Sequence, residues 1–262
     1  MNLQFYQTKS VIHELDPRLK FFTLMLISTE IFFIKDIFAQ ILILAAVFFC
    51  IYLSKIPLKF FLHSIKNISS LIILTSTLNI FFITNGNTVF KLFFIHITDY
   101  AIMLTLQMIL RMIILVSLCA LVIFSTPTIK LTDALVSILM PFEKFLPINE
   151  IAMIISIALR FIPVLSNEFN LIKKAQMSRG INFSDKNFIN RIKNYLSLLI
   201  PIFVLSFKRA DDLALAMDAR CYNPSAKRNS LKKLKFQAVD FIAIIFLCIF
   251  HFVIFINLFQ VR

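Results

Sequence analysis

Glycine is almost missing from this chain, with two residues in 262. Glycine-rich phosphate loops have little to be built from, and no P-loop, G-x-S-x-G elbow or H-E-x-x-H pair is present. Those absences remove the familiar nucleotide-binding, hydrolase and zinc-protease signatures. Tryptophan is absent altogether. Charge is thin: 16% of residues are charged, against about a quarter in a soluble domain. Acidic residues are the scarcer sign, 14 against 27 Lys and Arg. The four cysteines, Cys50, Cys119, Cys221 and Cys248, form no C-x-x-C pair. Nothing in their placement suggests a disulfide framework; three of them lie in apolar runs and read as packing residues.

Apolar residues fill the space, at 59% of the chain, with a mean hydropathy of +0.86. These values point to a polytopic, all-α membrane protein. A net charge of +13 then calls for no nucleic-acid partner, because Lys and Arg collect in cytoplasmic segments and set orientation. The first 18 residues are mixed polar, and no cleavable signal peptide is expected.

A bilayer core of ~30 Å needs about 20 apolar helical residues, with ~17 tolerated. Five segments meet or approach that length: roughly 19–34, 37–54, 67–84, 101–125 and 239–259. In "HELDPRLKFF" Asp16 suits the N-cap and Pro17 the first helical position. Asn85-Gly86-Asn87 marks a turn in the loop between the third and fourth segments. With the N-terminus inside, Arg18, Lys20, Lys55, Lys59 and Lys66 all fall inside, and only Lys35, Lys91 and Arg262 fall outside. The expected organisation is a membrane domain at 1–125 with four spans, a cytoplasmic domain at 126–238, and a last span within 239–262.

Segment 126–238 holds 17 Lys/Arg residues and 8 acidic ones, yet contains apolar runs near 151–165 and 196–207. The second run is too short to span. Inserting both would export a loop with six Lys/Arg, against the positive-inside rule. Both are therefore expected on the cytoplasmic side. Leu196, Ile200, Phe203, Phe207, Ala210, Ala214, Met217 and Cys221 repeat at four and three residues, a single helix face. Ile151, Ile154, Ala158, Phe161, Leu165, Glu168, Ile172 and Ala175 make a second. The expectation is two long helices packed by these stripes, with Ala210 and Ala214 allowing close approach. A shorter amphipathic helix is expected before them, starting near Thr126-Pro127 and broken at Pro141 and Pro147.

Both helices stop on an arginine. One ends Ala-Gln-Met-Ser-Arg-Gly at Arg179-Gly180, the other Ala-Met-Asp-Ala-Arg-Cys at Arg220-Cys221. A cation at a helix C-terminus is favoured by the macrodipole, by ~0.3–1 kcal/mol, and Gly180 is an ordinary residue just past a helix end. The repetition asks for more. Small flanking residues let a helix end enter a partner's groove with a five-donor guanidinium at its tip.

Here the chain resembles the transmembrane (T) subunit of energy-coupling factor transporters, ABC importers for vitamins and transition-metal ions. The likeness covers nearly the whole sequence, through "SVIHELDPRLKFF", "TPTIKLTDALVSILMPFEKF", "IALRFIPVL", "AQMSRG" and "AMDARCYN". It implies a non-catalytic subunit of the cell membrane, multi-pass, with its N-terminus and coupling domain cytoplasmic. It implies two ABC ATPase subunits and a membrane S component as partners within the lipid bilayer. ATP would be used by the ATPases, and this chain would bind no cofactor or metal. In that family the helix ends usually read Ala-Arg-Gly and dock into the ATPases. Carried over, they fall on Ser178-Arg179-Gly180 and Ala219-Arg220-Cys221. The sequence departs at Ser178 and Cys221, and a cysteine is less permissive than glycine of a left-handed backbone.

Two other classes stay open. A conventional ABC permease subunit would couple through a short loop, which the long basic segment argues against. A membrane-embedded ion carrier or enzyme would need ionisable groups within the spans; Arg111 and Glu30 are there, but one Arg and one Glu make no relay. His13, His63, His96 and His251 are scattered. Asp16, Pro17 and Arg18 also match the family, as do Arg160 and Pro163, with structural or coupling roles implied. Capping and anchoring explain the first three adequately. Lys227, Arg228, Lys232, Lys233 and Lys235 read as an interfacial charge cluster.

Overall fold

The computed structural model describes residues 5–8, 10–34, 36–83, 87–92, 95–143, 145, 147–185, 187–223 and 238–260, with backbone alone at 88–92, 95–97, 253 and 255–260. The expected basic cluster at 227–235 lies outside the described residues, as do Lys35, Asn85 and Gly86. In chain order the helices are α1 (Val11–Glu14), α2 (Pro17–Phe33), α3 (Ile37–Ser54), α4 (Leu58–Phe82), α5 (Asp99–Ser125), α6 (Thr128–Leu139), α7 (Ile148–Ser178), α8 (Phe188–Asp218) and α9 (Ala238–Gln260). A short 3-10 turn, Met140–Phe142, follows α6. Among the described residues the fold is all-helical but for one antiparallel hairpin, β1 (Thr88–Leu92) with β2 (Ile95–Thr98), before α5. A loop was expected there.

The chain divides into two compact units, 1–138 with 232–262, and 139–231. In the first, α5 lies against α2, α3 and α4. Its core is an isoleucine-rich seam: Ile27 and Ile31 from α2 with Ile34 just after it, Ile43, Val47 and Ile51 from α3, and Ile114 and Leu118 from α5. Spacings of three and four keep each set on one helix face.

Local chemistry sets the helix starts. Asp16 caps α2 by accepting the Arg18 backbone N–H at 2.8 Å, with Pro17 in the first turn. Asp36 caps α3 through Phe38 N–H at 3.2 Å. Thr98 caps α5 through Ala101 N–H at 3.2 Å.

Polar ties close the first unit. The Asp240 carboxylate accepts the Asp16 backbone N–H at 2.8 Å. Lys20 is buried, and its ammonium donates to Ser125 O and Thr126 Oγ1 at 3.2 and 2.9 Å. Fourteen residues further along α2, the Ile34 carbonyl accepts from Arg111 at 2.8 Å and from Gln40 at 3.1 Å. Arg111 is fourteen residues back from Ser125, so α2 and α5 run antiparallel in matched register. Arg111 thus caps the end of α2 and does not meet Glu30. Glu30 pairs with His251 of α9 at 2.8 Å.

Five described helices are long and apolar enough to cross a membrane: α3, α4, α5, α7 and α8. Helix α2, with 17 residues, is at the short limit for a span, and α9 is apolar over Ala238–Phe252. The 196–207 run lies within α8, whose 31 residues are enough to cross a membrane, so its length does not exclude insertion. The basic loop between α7 and α8 opposes insertion by its charge, whatever the helix length.

Candidate functional site

Helices α7 and α8, each of 31 residues, pack on each other in the second unit. Their contact face differs from the expected one. On α8, Leu198 is fully buried and Ile202, Leu205, Arg209 and Leu213 are half-buried. The expected stripe of Leu196, Ile200, Phe203 and Phe207 is exposed, with Phe207 at 69%. Ala210 and Ala214 are exposed with it, so they give no close approach to α7. The reason is local: "LSLLIPIFVLSF" is apolar on every side, so periodicity alone cannot choose a face. Polar ties choose it. On α7 the middle of the expected stripe holds, with Phe161, Leu165, Glu168 and Ile172 half-buried, while Ile151, Ile154, Ala158 and Ala175 are exposed.

Two polar contacts fasten the pair. Glu168 of α7 forms an ion pair with Arg209 of α8 through one oxygen and one nitrogen, and the other carboxylate oxygen of Glu168 is buried without a bond. The Gln176 side-chain amide donates to the Ser197 carbonyl at 3.4 Å. That carbonyl would ordinarily accept from residue 201, but Pro201 has no N–H. The proline thus frees an acceptor that the neighbouring helix takes up. From Glu168 to Gln176 the partner residue moves back from Arg209 to Ser197, so the helices run antiparallel. The loop packs against the same end: Asn194 donates to the Asn182 carbonyl at 2.7 Å, and the Phe183 and Tyr195 rings lie 5.5 Å apart.

The helix ends are built alike. After α7, Gly180 N–H donates to Met177 O at 3.0 Å and Ile181 N–H to Gln176 O at 3.1 Å, with Gly180 at φ +87°. After α8, Cys221 N–H donates to Asp218 O at 2.9 Å and Tyr222 N–H to Met217 O at 3.0 Å, with Cys221 at φ +55°. Both are Schellman closures, with a six-residue bond around a left-handed residue. In each, the arginine immediately precedes that residue. Cys221 therefore adopts the conformation that its identity made doubtful.

Arg179 and Arg220 are both exposed, as are Ser178, Gly180, Ala219 and Cys221. Neither arginine belongs to an ion pair among the described residues. Each stands eleven residues beyond the Glu168–Arg209 pair along its own helix. Because the helices are antiparallel, the tips point to opposite ends and lie up to about 33 Å apart at 1.5 Å per residue. Their surroundings differ in charge. Lys173 and Lys174 precede Arg179, whereas Asp211, Asp212 and Asp218 precede Arg220.

The other residues singled out in the sequence do not join this site. Asp16, Pro17 and Arg18 open α2 in the first unit, and Arg111 closes it. Arg160 is exposed on α7. The Glu30–His251 pair and the Gln176–Ser197 tie escaped the sequence reading, since neither has a local pattern; only the proline at 201 hinted at the second.

Comparison with known proteins gives the family. The chain matches the family model for CbiQ, cobalt transport protein, over residues 8–232. It is similar to the energy-coupling factor transporter transmembrane protein EcfT of Acidaminococcus fermentans, 39% identical over 239 residues, covering 90% of this chain and 88% of that one. The protein of the same name from Ruminiclostridium cellulolyticum is 37% identical, covering 90% of this chain and 89% of its own. That from Limosilactobacillus fermentum is also 37% identical, covering 92% and 90%.

Proposed function

Since this chain belongs to the CbiQ family, and within it to the T subunits of energy-coupling factor transporters, we propose that it carries ATP-driven motion from two ABC ATPase subunits to a membrane S component. Vitamins or transition-metal ions are the proposed cargo. This chain does no chemistry in that scheme, and ATP is hydrolysed by its partners. Arg179 and Arg220 are the docking residues, one for each ATPase. The 126–238 segment and the N-terminus face the cytoplasm.

One observation carries the reading: two exposed arginines, each held next to a left-handed closure of the same geometry, at opposite ends of one antiparallel helix pair. A macrodipole preference explains an arginine near a helix end, but not the repeated closure. The exposed stripe of α8 from Leu196 to Phe207 supports a membrane partner, because an apolar patch of this kind ordinarily marks one.

The test is the double change Arg179→Ala with Arg220→Ala. Removing one member of a buried, hydrogen-bonded charge pair costs about 2–5 kcal/mol. The variant is expected to insert normally but to lose ATPase co-purification and uptake. Wild-type transport by the double variant overturns the proposal.

A further inference from the structure

An open cavity of about 880 Å³ lies between α1 and the end of α3 in the first unit. Its lining includes Phe48, Tyr52 and Leu53 of α3 together with the charged Glu14 and Lys55. Both charged residues are exposed, and among the described residues neither belongs to an ion pair. They share one cavity yet do not close on each other. Lys55 also occupies the left-handed position that ends α3, at φ +56°. Glycine or asparagine ordinarily fills that position, so a cation is kept in the lining in a conformation lysine rarely adopts.

The level of the cavity says what surrounds it. Helix α3 is apolar over its 18 residues and ends at Ser54. Lys55 and Lys59 follow, as cations do at a membrane surface. Tyr52, 80% exposed, and Phe49 add exposed apolar surface at this end of α3. A ligand here meets an apolar lining and two opposite charges. A simple anion would be repelled by Glu14, and a simple cation by Lys55. A zwitterion with an apolar tail satisfies all three.

We propose that this cavity binds an aminophospholipid of the phosphatidylethanolamine type. Its phosphate pairs with Lys55, its primary ammonium with Glu14, and an acyl chain lies along Phe48 and Tyr52. The site is separate from the arginine tips, and its test does not depend on their role.

The full-length chain, purified in detergent, is to be labelled with a photoactivatable phosphatidylethanolamine. Saturable labelling is expected in peptides spanning 10–14 and 48–58. Unlabelled phosphatidylethanolamine should compete about tenfold better than phosphatidylglycerol, as a charge contact worth a decade of affinity requires. Lys55→Asn keeps a residue that tolerates the left-handed backbone while removing the charge, and Glu14→Gln removes the other. Each is expected to lower labelling, with thermal unfolding confirming the fold. Equal competition by phosphatidylglycerol reduces the site to a lone cation and overturns the proposal. So does labelling outside these peptides, or labelling unchanged in both variants. Should a variant fail to fold, the competition series on the unaltered chain decides.

Discussion

Cys221 stands where its counterpart at the other helix end is glycine, and it takes the left-handed backbone all the same. For a residue with a β-carbon that conformation costs roughly 1–2 kcal/mol. Cys221→Gly is therefore expected to stabilise the chain by up to about 1 kcal/mol, once glycine's greater freedom in the unfolded chain is subtracted. The mirror change, Gly180→Ala, should destabilise by a similar amount. An added β-carbon there meets nothing within 4 Å, so the loss would be conformational and not steric. Thermal unfolding of both variants checks the pair, and shifts of the same sign would contradict the shared closure. A second residue links stability to pH. His13 Nε2–H donates to the Tyr6 carbonyl at 2.9 Å, which leaves Nδ1 to accept from the Ser10 hydroxyl at 2.7 Å. The neutral ring is satisfied on both sides. Burial lowers its pKa below the ordinary value of 6.5, the Tyr6 carbonyl partly opposes that, and Lys20 repels the charged form. As pH falls through that ordinary value, the unfolded chain takes up a proton that the folded one resists, so stability declines. A His13→Gln variant should flatten this decline in a pH series of unfolding midpoints.

Among elements, the pairing of α7 with α8 rests on few polar contacts, and the ion pair is the one that can be exchanged. Glu168 and Arg209 are partly buried, between the surface case near 0–1 kcal/mol and the buried case of about 3–5 kcal/mol. Reversing either charge alone is expected to cost about 1–3 kcal/mol. Glu168→Arg combined with Arg209→Glu should recover most of the loss, measured as a double-mutant cycle of unfolding. Absence of recovery would mean that the pair contributes by packing alone. How far these elements could be read beforehand follows from their chemistry. Helix α3 matches its expected bounds of 37–54 because Asp36 caps one end and Lys55 with Pro57 closes the other. The expected span 67–84 begins nine residues after α4 does, because Lys59, His63 and Lys66 interrupt the apolar run though they lie on the helix. The hairpin before α5 was missed although Thr88–Leu92 and Ile95–Thr98 are rich in β-branched and aromatic residues. The arginine ends were legible as a repeated local pattern. The face that α8 turns to α7 was not, because its run is apolar all round and its choice depends on Gln176 and Glu168, far away in sequence.

At the scale of the whole molecule, the proposed orientation is testable with the cysteines already present. Cys221 is exposed at a helix tip, whereas Cys119 and Cys248 are exposed on the apolar helices α5 and α9. A membrane-impermeant maleimide should modify Cys221 in inside-out vesicles and not in right-side-out ones. Cys119 and Cys248, facing lipid, should stay unmodified in both. Reaction of Cys221 from the outer side would reverse the topology and remove the ATPases from reach of Arg179 and Arg220. The equal spacing of both arginines from the Glu168–Arg209 contact has a mechanical corollary in the proposed assembly. A beam balanced on a central fulcrum offers no mechanical advantage, so a stroke delivered at one end returns undiminished and unamplified at the other. Two motors gripping such a beam must keep time, and one that stalls would hold back its twin.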